Sequence, residues 1–193
     1  NTEGTQWVDA GAKSGTKYSY SVRPLAADGS FGNTYSGYRT ITCFMPPTLK
    51  SVTAVAAGLS VKWGAVNGAG SYNVYRKGPG EKSWVKVANV AETSWTDTAV
   101  ESGKTYTYSA RTLDADGTIR NTYSNAVTAV YYARPTLTSV ANSAKGVVIK
   151  WDAVDGAGSY RVYRRLYTGT NWSPLGNTEG TQWVDAGAKS GTK

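Results

Sequence analysis

The sequence predicts an all-β protein: tandem two-sheet antiparallel sandwiches, with seven short strands in each 88-residue unit. Three observations carry that prediction. Apolar and polar residues alternate over short runs bounded by Gly, Asp and Pro turns, the period of a half-buried strand. No segment shows the 3.6-residue period of an amphipathic helix. And the chain repeats itself, since residues 1–17 read NTEGTQWVDAGAKSGTK and residues 177–193 read the same without a change.

A repeat constrains the fold before local propensity does. The identical stretches are offset by 176 residues. Halfway between them, residues 89–105 match the first stretch at six positions, among them Trp95 on Trp7 and Asp97 on Asp9. The unit is therefore 88 residues long, and units two apart resemble each other more than neighbours do. The register runs without a gap: Pro47 falls on Pro135, Trp63 on Trp151, Tyr72 and Tyr75 on Tyr160 and Tyr163, Trp84 on Trp172. One whole unit, type B, is placed at 46–133. A C-terminal half of a type A unit precedes it at 1–45, and the N-terminal part of the next A unit follows at 134–193. The chain reads as an excerpt of a longer alternating array, so a targeting signal is expected to lie outside it.

Within unit B, runs at 48–55 and 59–63 alternate and are separated by Gly58. The run 71–77 (SYNVYRK) places Tyr72, Val74 and Arg76 on one face and Tyr75 on the other. Gly78, Pro79 and Gly80 turn the chain into a strand at 83–88, and a short one follows at 93–97. The longest alternating run, 105–113, aligns Tyr106, Tyr108 and Ala110. A hairpin turn at Asp114, Ala115, Asp116 and Gly117 leads to a last strand over 118–132.

Three features resemble the fibronectin type III family. A single Trp lies on the second strand (Trp63, Trp151). The third strand carries Tyr72, Tyr75 and Arg76. Val100, Gly103 and Tyr106 are spaced like the Leu-x-Pro-Gly-x-x-Tyr corner that leads into the sixth strand of such domains. The resemblance covers every part of the chain and is nearest to the divergent fibronectin type III-like units of bacterial surface and secreted proteins. It implies immunoglobulin-like sandwiches. Two departures stand out: Ser102 replaces the family's proline, and unit A has Ala12 where the corner's apolar residue belongs, so unit A's corner is expected to be looser.

Composition narrows the chemistry. Histidine is absent, which removes the commonest general base and zinc ligand. Cys43 is the sole cysteine and lies near a strand end, where unit B has Tyr131. Glu81, Glu92 and Glu101 fall in loops without a paired partner. Asp114 and Asp116 provide two carboxylates, short of the six to eight oxygens calcium takes, and unit A has Ala26 and Ala27 ahead of Asp28 and Gly29. No phosphate-loop pattern and no Arg-Gly-Asp tripeptide occur. Catalytic residues, a bound metal and a cofactor are accordingly not expected. Nor is there an apolar run long enough to span a bilayer.

The net charge of +8 is spread along the array, densest at Arg161, Arg164 and Arg165. That distribution suits solvation or an anionic polymer and marks no specific nucleic-acid site. With the Trp84 and Trp172 rings, those arginines are the candidate ligand-contacting residues, for a glycan or a cell-wall polymer.

The first functional expectation is a non-catalytic structural repeat of an extracellular bacterial stalk, fibre or adhesin, its joints stiffened by Pro46, Pro47 and Pro135. The alternatives are a glycan- or wall-polymer-binding adhesin module and an accessory module of a large secreted carbohydrate-active enzyme. Residues 134–193 are expected to carry five strands and residues 1–45 the last three, the fifth being present in both. Because unit B separates the two pieces, they are expected to complete each other head to tail between neighbouring copies.

Overall fold

The computed structural model describes residues 1–32, 34–189 and 191; the final positions of the repeated stretch, 190, 192 and 193, lie outside it. Its strands are β1 (Lys17–Tyr20), β2 (Arg39–Thr42), β3 (Leu49–Val55), β4 (Gly58–Trp63), β5 (Ser71–Lys77), β6 (Val85–Val90) and β7 (Ser94–Asp97). They continue with β8 (Thr105–Leu113), β9 (Val127–Val130), β10 (Leu137–Ser143), β11 (Gly146–Trp151), β12 (Tyr160–Arg164), β13 (Ser173–Thr178) and β14 (Gln182–Asp185). No helix occurs among the described residues. The chain gathers into two compact units. One comprises Asn1–Thr53, Ser60–Thr96 and Thr107–Thr128, the other Ala54–Leu59, Asp97–Tyr106 and Ala129–Lys193.

The first compact unit holds the larger part of repeat B, whose seven strands form sheets of order β3-β4-β7 and β6-β5-β8-β9. The alternation in SYNVYRK turns Tyr72 and Val74 inward, and TYTYSARTL does the same for Tyr108 and Ala110. The antiparallel register sets Val74 opposite Ala110 and Tyr72 opposite Thr112. Trp63, 2% exposed, fills the space between the sheets and meets the Tyr72 ring edge-on at 5.6 Å.

Tyr75, on the opposite face from Tyr72, is buried as well, because Tyr123 packs edge-on against it at 4.9 Å. One expectation about this repeat needs correction: the last strand does not run from 118 to 132. Past an isolated bridge between Leu113 and Ile119, pairing resumes only in β9. In between, the Ser124 amide still donates to the Ala110 carbonyl at 2.8 Å, and side chains supply the other bonds: the Ala110 amide donates to Ser124 Oγ at 2.9 Å, and the Thr112 amide to Asn121 Oδ1 at 3.2 Å.

The first compact unit also contains β1 and β2, a two-stranded antiparallel sheet pairing Tyr18 with Ile41. Three strands were expected in residues 1–45. The fifth-strand segment around Trp7 is not a strand, and Trp7 is 66% exposed. The reason is the partner. In the identical copy, β14 forms by pairing with β11, Trp183 opposite Ile149, and residues 1–45 carry no counterpart of β11. The corner of unit A is not looser in its key bond: the Lys13 amide donates to the Tyr18 hydroxyl at 2.9 Å.

In the second compact unit, the segment after Pro135 has the five expected strands, in sheets β10-β11-β14 and β12-β13. Trp151 and Tyr160 repeat the edge-on contact of Trp63 and Tyr72, at 5.4 Å. This unit also holds the corner of repeat B, where the Glu101 amide donates to the Tyr106 hydroxyl at 2.9 Å. Truncating the central indole tests the register directly. Trp63→Ala is expected to destabilise repeat B by about 3–5 kcal/mol in chemical denaturation, whereas a loss below about 1 kcal/mol would mean that Trp63 is not core.

Candidate functional site

Of the two carboxylates considered for calcium, Asp114 is engaged by its own turn. Asp114 Oδ1 accepts from the amides of Asp116 (3.1 Å) and Thr118 (2.9 Å), and Oδ2 pairs with Arg120 Nε at 2.7 Å. The hydrogen bond from Arg120, then that from the Thr118 amide, hold the Asp114 carboxyl below its ordinary range. Unit A reaches the same result differently: the Ser30 hydroxyl (2.6 Å) and amide (2.9 Å) bond Asp28 Oδ1 and lower its pKa. Among the described residues, no group of three or more His, Cys, Asp and Glu side chains is arranged to hold a metal.

Trp84 lies in a layered cluster on the outer side of β5 and β8. Tyr123 stacks on its indole at 5.7 Å, and Lys77 Nζ lies 4.9 Å from the ring centroid. Arg111 sits 5.0 Å over Tyr123, its Nε donating to the Asn121 carbonyl at 3.0 Å. The 88-residue register finds the same cluster split between the two pieces of unit A. Residues 134–193 hold Trp172 with Arg165 at 4.9 Å, and residues 1–45 hold Tyr35 with Arg23 at 5.2 Å. Trp172 is 60% exposed. On its counterpart Trp84 the ring is covered by a tyrosine. Sequence reasoning did not single out Tyr123, although its recurrence as Tyr35 marks it.

The three arginines are not brought to one point. Arg161 Nε donates to Asn177 Oδ1 at 3.0 Å. Arg164 lies on the opposite face of β12 and reaches both oxygens of the buried Asp185, at 3.0 and 2.8 Å. Arg165 stays with Trp172 and bonds the Gly169 carbonyl.

A broader feature lies on the last piece itself. Two hollows of about 620 and 880 Å³ share Leu137, Ile149 and Tyr163. Leu137 is 63% exposed, whereas its counterpart Leu49 is 4% exposed; Val61 and Tyr75, the counterparts of Ile149 and Tyr163, are buried too. In repeat B, β5 pairs on one side with β6 and on the other with β8, but among the described residues β12 pairs with β13 alone. The bare edge of β12 and the hollows beside it mark the place that a β8-type strand takes in repeat B.

No family model matches the chain. It is 38% identical to a poly(3-hydroxybutyrate) depolymerase of Delftia acidovorans over 72 residues, 37% of this chain and 14% of that one. A depolymerase of the same name from Ralstonia pickettii is 38% identical over 69 residues, 35% and 13% of the two chains. The chain thus spans about a seventh of the curated relatives it matches. Among solved structures, an Fn3-like protein from Clostridium thermocellum is 28% identical, with 46% of this chain and 92% of that one covered and a TM-score of 0.39. The FN1–FN3 domains of chicken CNTN1 are 13% identical, covering 89% and 66%, with a TM-score of 0.41. Within the chain, the strand order β3-β4-β7 and β6-β5-β8-β9 accompanies the Tyr106 corner. In that strand order and corner the repeat resembles a fibronectin type III sandwich.

The Asp114 turn of this fibronectin type III-like unit makes a pH prediction. A carboxyl held below its unfolded value stabilises the turn above the ordinary carboxylate range, and that contribution is lost as pH falls through the folded-state value. Carbon-detected NMR is expected to place the Asp114 midpoint below that of an unfolded aspartate, and Arg120→Ala to move it upward. A midpoint at or above the unfolded value would contradict the assigned bonds.

Proposed function

We propose that the chain is a non-catalytic spacer segment of a longer extracellular bacterial protein, with type A units completed head to tail by neighbouring copies of the repeat. One observation carries this reading. Leu137 and Val22, exposed on the two pieces of unit A, fall on Leu49 and Ala110, which are buried in repeat B. An apolar sheet face with a bare edge strand is a template for another strand, and the 88-residue register names it. Shifting the pairing of β5 with β8 by one unit sets Val162 opposite Val22 and Arg164 opposite Tyr20. Trp172 then receives Tyr35. The contact is the same whether the halves are joined through the backbone of an array or meet by association. It is heterologous, so it propagates along one direction.

A second reading is favoured by the sequence relatives: the spacer serves as an accessory module within a secreted polymer-degrading enzyme. The matched depolymerases are much longer than the region they share with this chain, which suits a module carried beside a separate catalytic region. Glycan or wall-polymer contact through Trp84, Trp172 and the arginines is compatible with either role. Specific nucleic-acid binding has no convergent basic site to support it.

Association tests the head-to-tail contact. Sedimentation velocity of the purified chain is expected to show species larger than the monomer that grow with concentration. Val22→Asp is expected to weaken that association at least tenfold by burying an unpaired charge. A monodisperse monomer across a wide concentration range would overturn the proposal.

A further inference from the structure

The corner at the end of one unit meets a turn of the next unit twice in this chain, with the same atoms each time. In the first compact unit, Ser14 Oγ donates to the Asn67 carbonyl at 3.1 Å and accepts from the Met45 amide at 3.2 Å. Asn67 Nδ2 returns a bond to the Ser14 carbonyl at 3.1 Å. In the second, Ser102 Oγ donates to the Asp155 carbonyl at 2.9 Å and accepts from the Ala133 amide at 3.0 Å. Met45 and Ala133 are equivalent linker residues, 88 apart.

Glycines make the approach possible. Gly15, Gly68, Gly103 and Gly156 all have left-handed backbones, with φ between 73° and 80°. A Cβ on Gly68 would fall 2.7 Å from Gly15 Cα, and one on Gly103 would fall 2.9 Å from the Asp155 carbonyl oxygen. Both sides are braced from their own cores. Tyrosine hydroxyls accept the amides of Lys13 and Glu101 at the corners (2.9 Å each), and of Val66 (2.9 Å) and Val154 (2.8 Å) at the turns. Gly191, the third copy of this glycine, keeps φ at 75° with nothing within 4 Å of a Cβ position.

We propose that Ser14 with Gly15, and Ser102 with Gly103, form a self-recognition clasp on the Asx-Gly turn of the following unit, and that this clasp fixes each inter-unit joint. It goes beyond the spacer role by assigning the joint its residues. It also explains why Ser102 stands where the fibronectin type III corner carries proline. A proline ring has no hydroxyl to bond the linker and the next unit at once. Where Met45 is the linker, its carbonyl is held from the other side as well, accepting from Asn121 Nδ2 at 2.9 Å and Thr112 Oγ1 at 3.3 Å.

Backbone amide exchange in the full chain tests the clasp. Gly156→Ala is expected to speed exchange of the Ala133 amide, in the other unit, at least tenfold while the β5 and β8 amides stay protected. Gly117→Ala is the control for backbone strain, because Gly117 has φ at 75° and nothing within 4 Å of its Cβ position. It is expected to leave Ala133 unchanged. Ser102→Ala, which alters no glycine, is expected to speed exchange across the joint at Ala157. Unchanged exchange at Ala133 in Gly156→Ala, an equal effect from Gly117→Ala, or an unchanged Ala157 in Ser102→Ala would each overturn the clasp.

Discussion

The covering of one apolar sheet face by a second sheet is the constraint on which the other features depend. A strand that buries alternate residues gains its stability from whatever lies over that face and beside its edge, far more than from its own propensity. The chain contains its own control. Residues 1–17 and 177–193 are identical, yet Gln182–Asp185 forms β14 beside β11 while the segment around Trp7 forms no strand. The aspartates diverge in the same way. Asp185 is buried against Arg164, while Asp9 accepts the Tyr20 hydroxyl at 3.0 Å. Desolvation, and after it that bond, pushes the Tyr20 hydroxyl above its ordinary pKa. One sequence gives two local structures because the partner strand is present in one place only.

The same constraint links the core to the joints. Tyr72 lies among the buried residues of repeat B, and its hydroxyl reaches out to hold the Val66 amide in the turn that meets Gly15. Tyr106 anchors the corner that meets Gly156. Each therefore has an apolar body in the core and a polar tip at a joint, the division of labour to which tyrosine is suited. Truncating either hydroxyl would leave the core filled and release the joint, whereas losing Trp63 opens the core itself.

Much of the fold was legible because the repeat supplied a second reading of every motif. Trp63, Tyr72 and Tyr106 follow from alternation and recur 88 residues away as Trp151, Tyr160 and Tyr18. What was not legible depended on contacts distant in sequence. Alternation in 118–132 suggested a continuous strand, because nothing in the letters shows that Ser124 and Asn121 side chains replace ladder bonds. That Tyr123, thirty-nine positions on, stacks against Trp84 could not be read from alternation. Ser102 registered as a departure from the family pattern, and only the geometry of Asp155 and Ala133 gave that departure a use.

In the assembly we propose, the two pieces of unit A are halves of one sandwich. Joining residues 134–176 directly to residues 1–45 in a single 88-residue polypeptide tests it most directly. The expected result is a cooperative thermal transition, with NMR cross-strand contacts pairing Val162 with Val22 and the Trp172 ring covered by Tyr35. A polypeptide that stays unfolded, or folds with Leu137 and Trp172 still open to solvent, would contradict the account.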